Sequence, residues 1–241
     1  ERQDLYNSHQ MPWMIGNFQV ILADKNRKAT TLEELEWLLS KAAAFDAGFG
    51  LVFDAETMKR HGLTDAMLDA VNIWETLRLA DAFSEAQKNE FKDPYGNWHI
   101  EKRDSTYLLY PQHISRRYFC DFVDDTWEWD TPYAGRFALR IALEGQGSVS
   151  ELEIRTPNGI LYFPCTLKAG QFLVYGFDGT AFITDLNHNK LQNVEAQGIA
   201  YIDKGISQVS FSCKSNDKGN RFPMTTIRYI TQGQPETIRI P

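Results

Sequence analysis

Asp54 closes the short apolar run Phe49-Gly50-Leu51-Val52-Phe53. A carboxylate at the C-terminal end of a buried parallel strand is where an α/β barrel places acid–base chemistry. Glycoside hydrolysis usually needs two such carboxyl groups across the scissile bond. Asp24 and Glu56 are lesser candidates for the same work. Asn17 and Gln19 lie in the first apolar run, Met14 to Leu22, and could line the same mouth as substrate-binding residues. The plainer alternative is that Asp54 is a loop or helix-capping residue. No partner carboxylate can be assigned from this stretch.

A second cluster is Asp124-Asp125-Thr126-Trp127-Glu128-Trp129-Asp130. Trp127 and Trp129 are two apart, so on a strand they share a face. Exposed beside carboxylates, they would form a platform for a sugar ring. Buried, they would be structural glue. Asp185, Asn187 and Asn189 alternate like oxygen ligands for calcium, but the full loop pattern is missing and the stretch reads as a turn. His9, His61, His99, His113 and His188 show no metal-ligand spacing. No phosphate loop or nucleophile elbow is present, and no cofactor or metal is implied. The three cysteines, Cys120, Cys165 and Cys213, match no zinc template and read as buried thiols, with one disulfide left open.

The elements that must position these groups change character near residue 110. Met14–Leu22 reads as a strand buried on both faces. Thr31-Leu32-Glu33-Glu34 is a capping box, and Leu35, Leu38, Leu39, Ala42 and Phe45 then recur at helical spacing. A second strand follows at Phe49–Phe53. A second helix starts near Thr64, with Met67, Leu68, Val71, Trp74 and Leu77 on one face. Ser84-Glu85-Ala86-Gln87 opens a third helix, and Trp98–Ile100 with Tyr107–Tyr110 read as a hairpin or two edge strands. Two strands joined through a helix lie parallel with a right-handed crossover. A two-stranded parallel sheet does not bury its own faces. Further strands are therefore expected, from a preceding stretch of chain or from a partner. The simplest completion is a (β/α)8-type barrel ending in its last two βα units, with its main catalytic pair on the other strands.

After Pro111, short alternating runs such as Arg136–Leu143, Val149–Ile154, Gln171–Tyr175 and Thr225–Ile230 recur. Turn signals separate them, among them Pro157-Asn158-Gly159, Asp178-Gly179 and Asp217-Lys218-Gly219. This texture reads as a β-sandwich. The expected division is thus 1–110, an α/β portion incomplete by itself, and 111–241, all-β.

Length and composition agree with two domains: 241 residues, 43% hydrophobic, with six Trp, ten Tyr and fifteen Phe. A net charge of −7 argues against general binding to nucleic acid. No run of 18 apolar residues spans a membrane. The opening ERQDLYNSHQ lacks a signal-peptide layout and an initiator Met, so a processing boundary is the expectation there.

Three stretches carry a family resemblance: Met11-Pro12-Trp13-Met14-Ile15-Gly16-Asn17-Phe18, Thr31–Leu39 running on to Phe45-Asp46-Ala47-Gly48-Phe49, and Trp74-Glu75 through Ala82-Phe83-Ser84 to Lys92-Asp93-Pro94. Together they resemble the last part of the barrel in bacterial, Bacteroidetes-type glycoside-hydrolase-like proteins. Leu167–Leu173 followed by Ile183–Asn187 is similar to a galactose-binding-domain-like jelly roll. The resemblance implies a carbohydrate-active hydrolase with an accessory sandwich, a carbohydrate partner, a periplasmic or extracellular location, and no activity in this chain alone. The alternative is a non-catalytic carbohydrate-binding or structural fragment.

Overall fold

The computed structural model describes residues 14–144, 146–215 and 224–240. His9, the Met11–Trp13 part of the first resembling stretch and the Asp217-Lys218-Gly219 turn lie outside them. The described residues are 49% strand and 19% helix, in β-sandwich-like sheets with four helices, and no (β/α)8 repeat is present among them. The expected class, α/β barrel units followed by an all-β jelly roll, is corrected to a β-rich chain. Contacts divide it into two compact units, Glu1–Gln112 with Gln234–Pro241, and His113–Gly233.

In the first unit, β1 (Met14–Gln19) and β2 (Gly48–Val52) pair in parallel, with α1 (Leu32–Ala44) between them in sequence. The βαβ step is therefore real, but it stops there. α1 packs on α3 (Thr64–Leu79), α4 (Glu85–Phe91) and β3 (Asn97–Arg103), with only a light contact to β1. β3 forms an antiparallel hairpin with β4 (Thr106–Ile114), and β16 (Glu236–Ile238) adds to the far side of β4. A helix turned toward an antiparallel hairpin cannot cover a continuing parallel sheet. β1 and β2 are accordingly half-buried to exposed, with Met14 58% and Val52 48% accessible, and are not the doubly buried strands their composition suggests.

Local signals govern the helices. The Thr31 hydroxyl accepts from the Glu34 amide at 3.3 Å, and the Glu34 carboxylate accepts from the Thr31 amide at 2.9 Å. Ser84 and Gln87 repeat this reciprocal pairing at α4. The α1 stripe of Leu35, Leu39 and Ala43 meets Met67, Trp74 and Leu77 of α3 in one core. There Trp74, Phe83, Phe91 and Trp98 form a chain of tilted and edge-on ring pairs. Leu68, expected on that face, is 41% exposed.

Two charged residues sit on the buried side of α1. Lys41 donates from Nζ to the Phe91 carbonyl at 2.7 Å and to the Asp93 carbonyl at 2.5 Å, closing the C-terminal end of α4. Burial pulls its pKa down to about 8. Glu36 is 2% exposed and receives Trp74 Nε1 and the Ile100 amide, each at 3.4 Å, and His99 Nδ1 at 2.9 Å. A buried carboxylate is tolerated only with such a donor set.

The second unit is a β-sandwich. One sheet runs β12-β11-β10-β7-β15-β5 and the other β13-β9-β8-β14-β6, with all these pairs antiparallel. Its strands are β5 (Tyr118–Cys120), β6 (Asp124–Thr131), β7 (Phe137–Glu144), β8 (Ser148–Thr156), β9 (Gly159–Lys168), β10 (Phe172–Tyr175), β11 (Ala181–Thr184), β12 (Lys190–Val194), β13 (Gln197–Ile199), β14 (Gly205–Ser215) and β15 (Met224–Gln232). Alternate residues of the two sheets meet in one core that includes Trp129, Phe137, Ile154, Phe163, Leu173, Phe211 and Tyr229. The three cysteines are buried and unpaired, and burial raises the thiol pKa of each. Gly159 and Gly198 have positive φ angles of 138° and 80°, and a side chain on either would collide with the backbone of the facing strand.

Candidate functional site

Asp54 is the N-cap of α2 (Ala55–Arg60). Its Oδ1 accepts from the Thr57 amide at 2.7 Å and its Oδ2 from the Thr57 hydroxyl at 3.0 Å. These bonds hold its pKa below the usual carboxylate range. Both oxygens are thus directed to the first turn of their own helix. Asp24 ties its own loop, accepting from the Asn26 and Arg27 amides and the Arg27 guanidinium. Glu56 pairs with Arg60 one turn on. Asn17 and Gln19 are exposed, and the Asn17 amide lies over Gly50, where a Cβ would strike it. Asp185 accepts from the Asn187 and Asn189 amides and from Asn189 Nδ2, which makes that stretch a hydrogen-bonded turn.

The run from Asp124 to Thr131 is β6, the edge strand of its sheet, paired with β14. Strand alternation sends Trp127 and Trp129 to one face and Glu128 and Asp130 to the other. The tryptophans face inward. Trp129 is 0% exposed, lies face-on to Tyr229 with centroids 4.4 Å apart, and meets the edge of Phe137. Trp127 is half-buried and stacked on Tyr118 at 5.1 Å. A sugar platform needs free ring faces. Trp129 has none, and Tyr118 covers a face of Trp127.

The side chains between the two tryptophans open instead into a groove of about 380 Å³. It is lined by Glu128 and Asp130 of β6, by His113, Ser115, Arg116 and Tyr118, and by Ile206 of β14. The parts are held in place. The Tyr118 hydroxyl donates to the Glu128 carbonyl at 3.1 Å, tying β5 to β6. The Ser115 amide donates to the Tyr229 carbonyl at 2.9 Å, and the Ser115 hydroxyl accepts from the Tyr229 amide at 3.0 Å. The Arg116 guanidinium lies over the Tyr118 ring at 5.1 Å. Burial keeps the His113 pKa below its ordinary value against the pull of Asp130, so the ring is neutral at pH 7. Its Nδ1 is buried with no hydrogen-bond partner among the described residues. The groove lining therefore brings together two carboxylates, a guanidinium and the Tyr118 ring, with the His113 imidazole beside them. Such a set can grip a ligand rich in hydroxyl groups from several sides.

A second, shallower concavity of about 570 Å³ lies along β8 and β9, with Tyr162, Thr166 and Gln192 in its lining. Glu151 reaches it from a β-bulge at a positive φ of 53° and is held by Lys214 at 2.7 Å.

Sequence reading named Trp127 and Trp129 of β6, whereas the groove is lined by Glu128 and Asp130 of the same strand. Parity shows that Trp127 and Trp129 share a face, but not which face is inward. The Glu36–His99 pair escaped it altogether. Its one readable sign was a glutamate on the apolar stripe of α1. Among the described residues no cluster of three or more His, Cys, Asp or Glu is placed to hold a metal ion. No family model, curated protein or solved structure matches the chain.

Proposed function

We propose that the protein is carbohydrate-active, and that its sandwich holds a poly- or oligosaccharide in the groove along β6. The observation that carries this reading is the outward pair Glu128 and Asp130 lining one groove with Arg116, His113 and Tyr118. Carboxylates take hydrogen bonds from neighbouring sugar hydroxyls, guanidinium gives them, and a neutral imidazole can do either. The resemblance to glycoside-hydrolase-like proteins supports the same substrate class. It also places the protein in the periplasm or outside the cell, where polysaccharides are met. In this reading the chain binds glycan and does not by itself cleave it.

The test is affinity electrophoresis and calorimetry against a panel of neutral and acidic polysaccharides, with aryl-glycoside hydrolysis in parallel. Retardation by at least one glycan, abolished in Glu128→Gln/Asp130→Asn at unchanged melting temperature, is expected. Binding untouched by the double substitution, or no binding across the panel, overturns the site. Sugar release by the wild-type chain overturns the non-catalytic part of the reading.

A further inference from the structure

We infer that Glu36 and His99 form a proton-controlled latch that fastens α1 to β3. The geometry comes first. Glu36 leaves α1 on its buried side with a side chain only 3% exposed, and both of its oxygens lie within 3.0 Å of His99 Nδ1. Trp74 of α3 and the Ile100 amide of β3 supply the remaining donors. The His99 ring stands against Tyr110, its register partner on β4, with centroids 6.5 Å apart. Among the described residues, the charges that act on the imidazole are Glu36 and Glu33 from α1 and Glu101 from β3. Arg103 is engaged with Glu101 and Tyr110.

This surrounding decides the direction of the proton equilibrium. Burial works against the imidazolium, but the bond to Glu36 and the three carboxylates outweigh it, and the folded protein holds the proton above the ordinary 6.5. A charged His99 neutralises a carboxylate that has no other counter-ion among the described residues. Neutral His99 can still donate from Nδ1, but then Glu36 is a buried charge held by neutral donors alone, a costly state. A group whose pKa is raised on folding stabilises fully below its unfolded value and loses that contribution as pH rises through the folded value. The latch is therefore tight in mildly acidic solution and slackens as the pH climbs past the His99 midpoint, loosening the helix–hairpin contact on which this unit's core is built.

The experiment is an NMR titration of the histidine ring protons in the intact chain, with the His99 signal identified by its absence in His99→Gln. It is paired with thermal melts of wild type, Glu36→Gln and His99→Gln from about pH 5.5 to about pH 9. The expected results are a His99 midpoint above 6.5 that moves down in Glu36→Gln, and a wild-type advantage in melting temperature that shrinks as pH rises. A His99 midpoint at or below 6.5, or one unchanged in Glu36→Gln, overturns the latch. So does a constant offset between wild type and both variants across the range, which is what a merely structural hydrogen bond gives. Should a variant fail to fold, the wild-type midpoint alone decides.

Discussion

Trp129 and Tyr229 lie face to face with ring centroids 4.4 Å apart and an interplanar angle of 20°. They come from different sheets of the sandwich, and both are 0% exposed. Phe137, Tyr118 and Trp127 close around them at 5.5 to 6.3 Å. The pair therefore clamps the two sheets directly behind the groove. Trp129→Ala leaves a large cavity there and is expected to cost about 3–5 kcal/mol of unfolding free energy. Trp127→Ala, at a half-buried site, is expected to cost less. Urea denaturation of the two variants checks the order. Equal costs would mean that Trp129 is not the clamp.

Glu128 and Asp130 are exposed and take part in no ion pair among the described residues, so their charges contribute little to folding. Glu128→Gln and Asp130→Asn are each expected to leave the melting temperature within a degree or two while weakening glycan retention several-fold. Tyr162→Ala, in the other concavity, is expected to leave retention unchanged. If Tyr162→Ala abolishes retention and the β6 variants do not, the binding surface lies along β8 and β9.

Lys41 carries a pH dependence opposite in sign to that of His99. Its pKa falls from 10.5 to about 8 on folding, so the unfolded chain binds more protons between those values. Stability then rises with pH across that window. Lys41→Met removes both the slope and the two bonds to the carbonyls beyond α4. Melting curves between about pH 8 and 10.5 should be flatter for the variant than for the wild type. A wild-type slope retained in the variant would assign it to another group.

Thr31→Ala breaks the reciprocal bonds that start α1 and is expected to cost about 1 kcal/mol. Thr31→Ser keeps the hydroxyl and should recover most of it. Asp54→Asn is the matching probe for α2, because an asparagine caps almost as well as an aspartate. Circular dichroism should register no loss of helix in that variant. A wild-type hydrolase activity lost in Asp54→Asn would give the carboxylate a chemical role beyond its cap.

What could be read from the residues divides by distance along the chain. Both capping boxes, the parallel pairing of β1 with β2 and the β3–β4 hairpin rest on signals within a few tens of residues, and all were legible. The sandwich was legible because regular alternation and turn residues recur through its length. The barrel was not foreseeable as wrong from β1 and β2. Their composition suits a doubly covered sheet, and only the packing of α1 on β3 removes the cover. The groove needed knowledge of which face of β6 turns inward, set by Tyr229 about 100 residues away. Glu36 meets His99 across 63 residues, and no local pattern links them.

Among the described residues β6 ends its sheet, and no described strand pairs with the other side of its backbone. Unpaired edges are templates for association between copies. Asp124, Asp125, Glu128 and Asp130 crowd this one, and like charges set at close intervals keep a second copy from zipping on. The charges proposed to hold a glycan on the strand that borders the groove thus also keep neighbouring molecules apart.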